Sequence, residues 1–422
     1  MRVRMYRIAL WTAVLVLGAV FSAQGGEFFF KDGDSAVIIG DSITEQHLYS
    51  NYVEMWTVSR FPKWNITFRN SGIGGDTSGG GNGRFKRDVV VHKATAMTVD
   101  FGMNDGGYTK FEEGRYKNYM KGLQGMADQA KAANIRVAWA TPSPVEKAEE
   151  GPAIQGYNET LEKYSAGVQE IAQKNEGLFV DQFHPFIAAQ DKARAENPKG
   201  RIGGGDAVHP GPPGQAVMAW AILKGLSFPA LVSAAEIDAA GNKVVKADKC
   251  EVTNLAAKDG GISFQRLDAA LPFFPKEAKP ILKWVPIEQE LNEYTLKVTG
   301  LKDGQYEILA DTVKLGEHTA AELAAGVNLA SEALAAGPIA DQVKAVWTAV
   351  QEKNRTYHDK IFRGIVLGPG VPDWLEIPPA EVEAKKQAAM EKRMAKVVEL
   401  DAAVHKALEI KPHQFDVVPV KK

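Results

Sequence analysis

The chain has 422 residues, 45% of them hydrophobic, 50 Lys and Arg against 52 Asp and Glu, and a formal charge of −2. That length exceeds one ordinary core and predicts two or three domains. So mild and mixed a charge excludes function through a strong field and argues against a nucleic-acid or anionic-membrane partner. The only cysteine is Cys250, so no disulfide forms within the chain and stability rests on packing.

Residues 1–25 read as a signal peptide. Arg2, Arg4 and Arg7 precede an apolar run, Ile8 to Val20, followed by the small residues Ser22, Ala23 and Gly25. The run is short for a bilayer span and lacks a basic stop-transfer flank. Export by cleavage is therefore expected, with a periplasmic or secreted mature chain that has no membrane span. Removing the three arginines takes the charge from −2 to −5.

From residue 26 to about 230, apolar β-prone runs alternate with helical patterns. Ala36 to Ile39, Ile66 to Arg69, Ala96 to Phe101, Ile135 to Ala140 and Leu178 to Val180 are the predicted strands. Apolarity that is continuous rather than alternating suits parallel strands covered on both faces. Gln46 to Val58, Glu112 to Ala133, Ile154 to Lys174 and Pro212 to Lys224 are the predicted helices, and the alternation implies a doubly wound α/β sheet. Residues 231–319 carry short alternating stretches between Asp-Gly turns at 259 and 303, the pattern of a small antiparallel β-rich unit. Residues 320–422 are expected to be mainly helical, ending in a charged helix, Ala380 to Leu408, whose charges read as a solvated face.

Four motifs stand at the carboxyl ends of predicted strands or in the Gly-rich loop before the closing helix. They are Gly40-Asp41-Ser42, the stretch Asn70 to Thr77, Gly102-Met103-Asn104-Asp105, and Asp206-Ala207-Val208-His209. A serine hydroxyl is a poor nucleophile until an imidazole accepts its proton, and the imidazole needs a third group to fix its tautomer. Ser42, His209 and Asp206 can fill these roles. The Ser42 and Gly75 backbone N–H groups and the Asn104 side-chain amide can receive an oxyanion. Each feature has a plainer reading as well: Ser42 and Asn104 as helix caps, Gly72, Gly74 and Gly75 as the makings of a tight turn, and His209 as a satisfied loop histidine.

Asp41, Asp76 and Thr77 are expected to hold turns. His184, following Asp181, is expected to be structural, and His47 and His92 to belong to helical stretches. Arg84, Lys86 and Arg87 form a basic cluster that either attracts an acidic sugar or is simply solvated. None of the eight histidines is paired at metal-ligand spacing, so no metal is expected. The sequons at Asn65 and Asn158 matter only in a eukaryotic secretory pathway.

In these four blocks the chain resembles the SGNH (GDSL-type) hydrolases over about residues 35 to 226, with no block residue departing from the pattern. The resemblance implies a flavodoxin-like three-layer α/β/α domain, no cofactor, and ester hydrolysis through an acyl-enzyme. By motif it makes Ser42 the nucleophile, His209 the base, Asp206 its orienting acid, and Ser42, Gly75 and Asn104 the oxyanion donors. Family members act on many esters, so fold and triad do not choose the substrate. The long extension and the export signal favour an acylated, most readily acetylated, carbohydrate. Trp284, Tyr294, Tyr306, Trp347, Tyr357 and Trp374 are candidates for stacking on sugars, or for the core of the extension. The alternatives are a non-catalytic glycan-binding or scaffold protein on the same fold, and a lipase or thioesterase taking longer acyl chains.

Overall fold

The computed structural model describes residues 26–146, 154, 156–198 and 200–420. The expected signal peptide lies outside the described residues.

The first sheet is wholly parallel. It contains β1 (Ser35–Gly40), β2 (Thr67–Gly72), β3 (Ala96–Asp100), β4 (Arg136–Ala140) and β5 (Leu178–Val180), in the order β2-β1-β3-β4-β5. Around it run α1 (Ser42–Glu45), α2 (Leu48–Arg60), α3 (Ser78–Gly83), α4 (Phe85–Asp88), α5 (Glu113–Ala132), α6 (Tyr157–Lys174), α7 (Phe183–Glu196) and α8 (Pro212–Gly225). Successive side chains of a strand point to opposite faces, so both faces of a central strand must be apolar when helices cover both. In β1, Ala36 and Ile38 pack with Tyr52 and Trp56 of α2 and Leu223 of α8. Val37 and Ile39 pack with Leu123 and Met126 of α5 and Val168 of α6. The chain leaves β1 toward β2 on one side and returns to β3 on the other, which opens a crevice at the carboxyl ends of β1 and β3.

The five predicted strands are all present. Among the elements not anticipated are α7 and α3. α7 buries Phe183, Phe186, Ala189, Gln190 and Ala193, a helical spacing that is visible in the sequence. α3, with the sequence Ser-Gly-Gly-Gly-Asn-Gly, has no helical propensity and is held by tertiary contacts and by the Thr77 cap, whose Oγ1 accepts from Gly80 N.

Beyond α8 follow β6 (Leu231–Asp238), β7 (Lys243–Asp248), β8 (Cys250–Lys258), β9 (Gly261–Asp268), α9 (Ile287–Leu291), β10 (Glu293–Thr299), β11 (Gln305–Ala310), β12 (Val313–Thr319), α10 (Ala320–Ala325), β13 (Val327–Asn328), α11 (Ala330–Ala335), α12 (Pro338–Tyr357), α13 (Pro379–Ala407) and β14 (His413–Pro419). They form two sheets, β13-β10-β6-β7 and β12-β11-β14-β9-β8. The expectation of purely antiparallel pairing is corrected in one place: β6 and β10 pair in parallel. The connection between them, residues 239 to 292, runs through β7, β8, β9 and α9. β14, from the chain's largely helical last hundred residues, lies between β11 and β9, with Phe415 and Val417 buried. Arg266 of β9 is fully buried and joins the sheets, donating to Asp268 Oδ1 (2.8 Å) and to Ser233 Oγ of β6 (2.7 Å).

α12 and α13 return to cover β2, an edge strand of the first sheet. Arg69 of β2 grips Asp401 of α13 through both carboxylate oxygens, at 3.2 and 2.6 Å. Lys353 of α12, 1% exposed, pairs with Glu54 of α2, and Asn354 donates to Glu54 Oε2 (2.7 Å) and Asn51 Oδ1 (2.8 Å). Removing one partner of a buried pair leaves an uncompensated charge. Lys353→Met should therefore cost about 3–5 kcal/mol in urea unfolding, and adding Glu54→Gln should recover part of it.

Candidate active site

The β1-to-α1 turn explains three adjacent residues. At Gly40 a Cβ would fall 2.1 Å from Thr44 Oγ1 and 2.6 Å from the Asp100 carbonyl, so only glycine lets the chain pass. Asp41 is the N-cap of α1, its Oδ1 accepting from Ile43 N at 2.9 Å. Ser42, partly exposed, opens the helix at the crevice.

The loop carrying Asp206 and His209 is fixed from both sides. The buried Glu146 accepts from Ile202 N (2.7 Å), and its own N–H donates to the Ala207 carbonyl (2.9 Å). Gln215 of α8, also buried, donates to the Pro210 carbonyl (3.1 Å) and to Gln46 Oε1 (2.6 Å), while its Oε1 accepts from Tyr49 N (2.9 Å). Gln215 thus ties the histidine loop to the segment following Ser42. Neither residue was singled out from sequence, because what marks them is burial against distant backbone groups.

Ser42 Oγ lies 2.9 Å from His209 Nε2, and His209 Nδ1 lies 3.0 Å from Asp206 Oδ2. The other oxygen of Asp206 accepts from the backbone N–H of Val208 (2.8 Å) and His209 (2.6 Å). Desolvation pushes the Asp206 pKa up, but these two N–H groups and the imidazole outweigh it and hold the carboxyl below its ordinary value. It remains an anion with one oxygen turned to the ring.

Gly75 sits in the Ile73–Asp76 turn, closed by Asp76 N to the Ile73 carbonyl (3.2 Å). Its φ of +74° suits glycine, and a Cβ there would meet nothing within 4 Å, so torsion rather than space selects the residue. Asn104 Nδ2 donates to the Asp76 carbonyl (2.9 Å), and its other hydrogen has only a long 3.4 Å approach to Asp41 Oδ2. All five sequence-selected residues therefore meet at one rim. Tyr108, missed in the sequence, donates from its hydroxyl to Asn104 Oδ1 (2.9 Å) and holds a left-handed φ of 58°. That bond occupies the amide oxygen and leaves the NH₂ on the side of Asp76 and Asp41.

The basic cluster divides. Arg84 is buried and is not a solvated or sugar-attracting cation: it donates to Asp76 Oδ2 (2.7 Å), the Ser71 carbonyl (2.7 Å), Asp88 Oδ2 (2.9 Å) and the Gly40 carbonyl (3.0 Å). Arg87 pairs with Asp88, and Lys86 is exposed. Asp76 and Thr77 hold turns as expected, with Asp76 Oδ1 accepting from Thr77 N. His47 is the left-handed N-cap of α2, His92 lies in a short 3-10 turn against Tyr357, and His184 bonds Asp181. Asn158 spends its amide on both backbone groups of Val145. Of the six candidate stacking aromatics, Tyr294, Tyr306 and Tyr357 are core residues, Trp284 and Trp347 are partly buried, and Trp374 is 78% exposed. A cavity of about 470 Å³ lies in the seam between α2 and α12, lined by His47, Asn51, Asn354, Arg355 and His358; Ser42, Asp206 and His209 do not line it. Among the described residues no cluster of three or more His, Cys, Asp or Glu is placed to hold a metal, and no helix is long and apolar enough to cross a membrane.

Beneath the rim lie three buried acids. Burial and the neighbouring Asp100 hold Asp41 well above the carboxylate range, against the Ile43 N–H. Burial raises Asp100 to about 7, opposed by the Gln182 amide, and Asp105 to about 6, opposed by Ser78.

Residues 38–217 match the model of the GDSL-like lipase/acylhydrolase family. Among solved structures, a gut microbial diltiazem-metabolizing enzyme is 27% identical, with a TM-score of 0.82 over 94% of this chain and 100% of that one. An acetylxylan esterase from Geobacillus stearothermophilus is 24% identical over 47% of this chain and 96% of its own, with a TM-score of 0.40. No curated protein matches. The fold and the matched region are those of an ester hydrolase. Over residues 38–217 the chain is similar to the SGNH (GDSL-type) hydrolases, and it is a serine esterase.

A carboxyl whose pKa is higher folded than unfolded binds its proton more readily in the native state, so stability falls as pH rises between the two values. For Asp100 the window runs from near 4 to about 7. Asp100→Asn should flatten the loss of thermal stability between pH 5 and 8 relative to the parent. His47 and His92, lowered by burial to about 3 and about 4, pull the other way below pH 6.5 in both proteins and cancel in the difference.

Proposed function

We propose that the protein is an exported serine esterase that removes short acyl groups, acetyl foremost, from a carbohydrate. The observation that carries the mechanism is the continuous Ser42–His209–Asp206 contact at 2.9 and 3.0 Å. Ser42 Oγ attacks the ester carbonyl carbon as its proton passes to His209 Nε2. The carbonyl oxygen becomes an oxyanion, received by the N–H groups of Ser42 and Gly75 and the Asn104 amide. Collapse expels the alcohol, which takes the proton back from the imidazolium. Water, activated in turn by His209, then releases the acid and restores the serine. Asp206 stays ionised throughout, holding the ring and stabilising its positive charge.

The buried acids support this reading. At the pKa values set by burial, the floor carries less negative charge than three carboxylates would, which favours an anion forming above it. Small or polar groups around Ser42, among them Gly74, Asn104 and Tyr108, suit an acetyl group better than a long alkyl chain. Export rests on the basic and apolar layout of residues 1–25.

The likeness along the whole chain to an enzyme described as diltiazem-metabolizing favours a second reading, a small-molecule ester in place of a polymer. Hydrolysis of p-nitrophenyl acetate, butyrate and octanoate, of acetylated xylo-oligosaccharide and of diltiazem separates these readings. Acetate before octanoate, with the oligosaccharide turned over, supports the first; diltiazem alone supports the second.

Ser42→Ala should lower kcat by about 10⁴-fold or more on every substrate cleaved, with the unfolding midpoint unchanged. Tyr108→Phe, which frees the Asn104 amide to rotate, should lower kcat about tenfold at nearly constant KM.

A further inference from the structure

We infer that Arg363, supplied by the region beyond the second and third sheets, is a positioning residue for the oxyanion turn and acts through Glu45. The inference rests on Gly75 being an oxyanion donor. α12 continues into a π-helical segment, His358–Val366, and π turns push backbone outward from a regular helix. Ile361 and Phe362 anchor the segment against Tyr357 and against Val397 of α13, and Arg393 of α13 donates to the Lys360 carbonyl. Arg363 lies between these anchors and the end of the segment.

Its guanidinium meets Glu45 Oε1. Glu45 ends α1, one turn after Ser42, and its other oxygen accepts the Gly74 N–H at 2.7 Å. A side chain at Gly74 would begin 4.0 Å from Ser42 Cβ, so the carboxylate stands beside the reacting centre. The next N–H in the chain is that of Gly75. Ile73, at the start of the same turn, packs against the Tyr357, Ile361, Phe362 and Val397 cluster. The turn is thus held from the C-terminal region twice, by an apolar contact at Ile73 and by an ion pair relayed through Glu45.

Two consequences follow for an oxyanion. Glu45 fixes the Ile73–Gly74 peptide, immediately before the one that carries the Gly75 N–H. Its charge, unpaired, would oppose the negative charge forming on the substrate, and Arg363 offsets it. His358 Nε2, 3.6 Å from Glu45 Oε1, stands on the same side but leaves the closest contact to Arg363.

A double-mutant cycle on p-nitrophenyl acetate tests this, with Arg363→Met, Arg363→Lys, Glu45→Gln and the Arg363→Met/Glu45→Gln pair, and with Ser42→Ala alongside. Arg363→Met should lower kcat about tenfold with KM within about twofold, and Arg363→Lys should recover most of the loss. With the charge of Glu45 removed, Arg363→Met should cost nothing further. An active wild type with a silent Ser42→Ala, but an unaltered kcat in Arg363→Met, overturns this inference alone. So does an equal loss from Arg363→Met with and without Glu45→Gln, which would mark Arg363 as merely structural. A wild type that cleaves no ester, or a fully active Ser42→Ala, overturns the esterase mechanism itself and this inference with it.

Discussion

The buried guanidinium of Arg84 is the interaction on which the rest of the site depends. Its donors end on the Gly40 carbonyl of β1, the Ser71 carbonyl of β2, and the carboxylates of Asp76 and Asp88. A parallel sheet aligns its strands but leaves the loops at their ends free to choose a path. Arg84 removes that freedom where β1 leads into Ser42 and β2 into the Gly75 turn. A fixed planar fork with several donors can bind backbone carbonyls and carboxylates together, which a lysine could not. The charge is neutralised by two acids, so its burial is tolerated.

Around that point the chain is arranged to limit motion rather than to add groups that touch substrate. Gln215 secures the histidine loop against the segment after Ser42, Glu146 secures its other side, and Tyr108 orients Asn104. Preorganisation of this kind lowers the reorganisation needed as charge develops in the transition state. The buried acids below are consistent with the same requirement.

The extension past α8 has a physical role in this arrangement. β2 is an edge of the first sheet, and α12 and α13 cover it through Lys353, Asn354 and Asp401. The two further sheets are bound to each other through Arg266, and the last strand is inserted at the centre of one of them. Residues more than three hundred positions from Ser42 are thereby brought to its neighbourhood, among them Arg363.

Much of the first domain was legible in the residues. Both-sided burial makes β1 apolar from Ala36 to Ile39 and β3 largely so, and a helical pattern follows the first, third and fourth strands, so the parallel sheet follows from period and order. The roles proposed for Ser42, His209 and Asp206 were suggested by the ordered set of four motifs, since each residue alone has a plainer use. α7 was legible too, through Phe183, Phe186, Ala189 and Ala193, and was overlooked. α3 was not, because a run of glycines carries no propensity and folds only where neighbours hold it. The parallel pairing of β6 with β10 was hidden as well, since a strand's side-chain pattern does not name its partner. Arg84 read as a surface cation, although its guanidinium is buried.

By itself, then, the amino-acid sequence determined the doubly wound sheet, the groups able to perform ester chemistry and the rim where they gather, because local period and residue type are written along the chain. Tertiary structure alone decided that Arg84, Gln215, Glu146, Tyr108 and Glu45 stand beside those groups, and that Arg363 reaches Glu45. Each of these acts through a hydrogen bond or charge contact with a group brought near by folding, and a polar side chain looks the same in sequence whether it faces water or a buried partner.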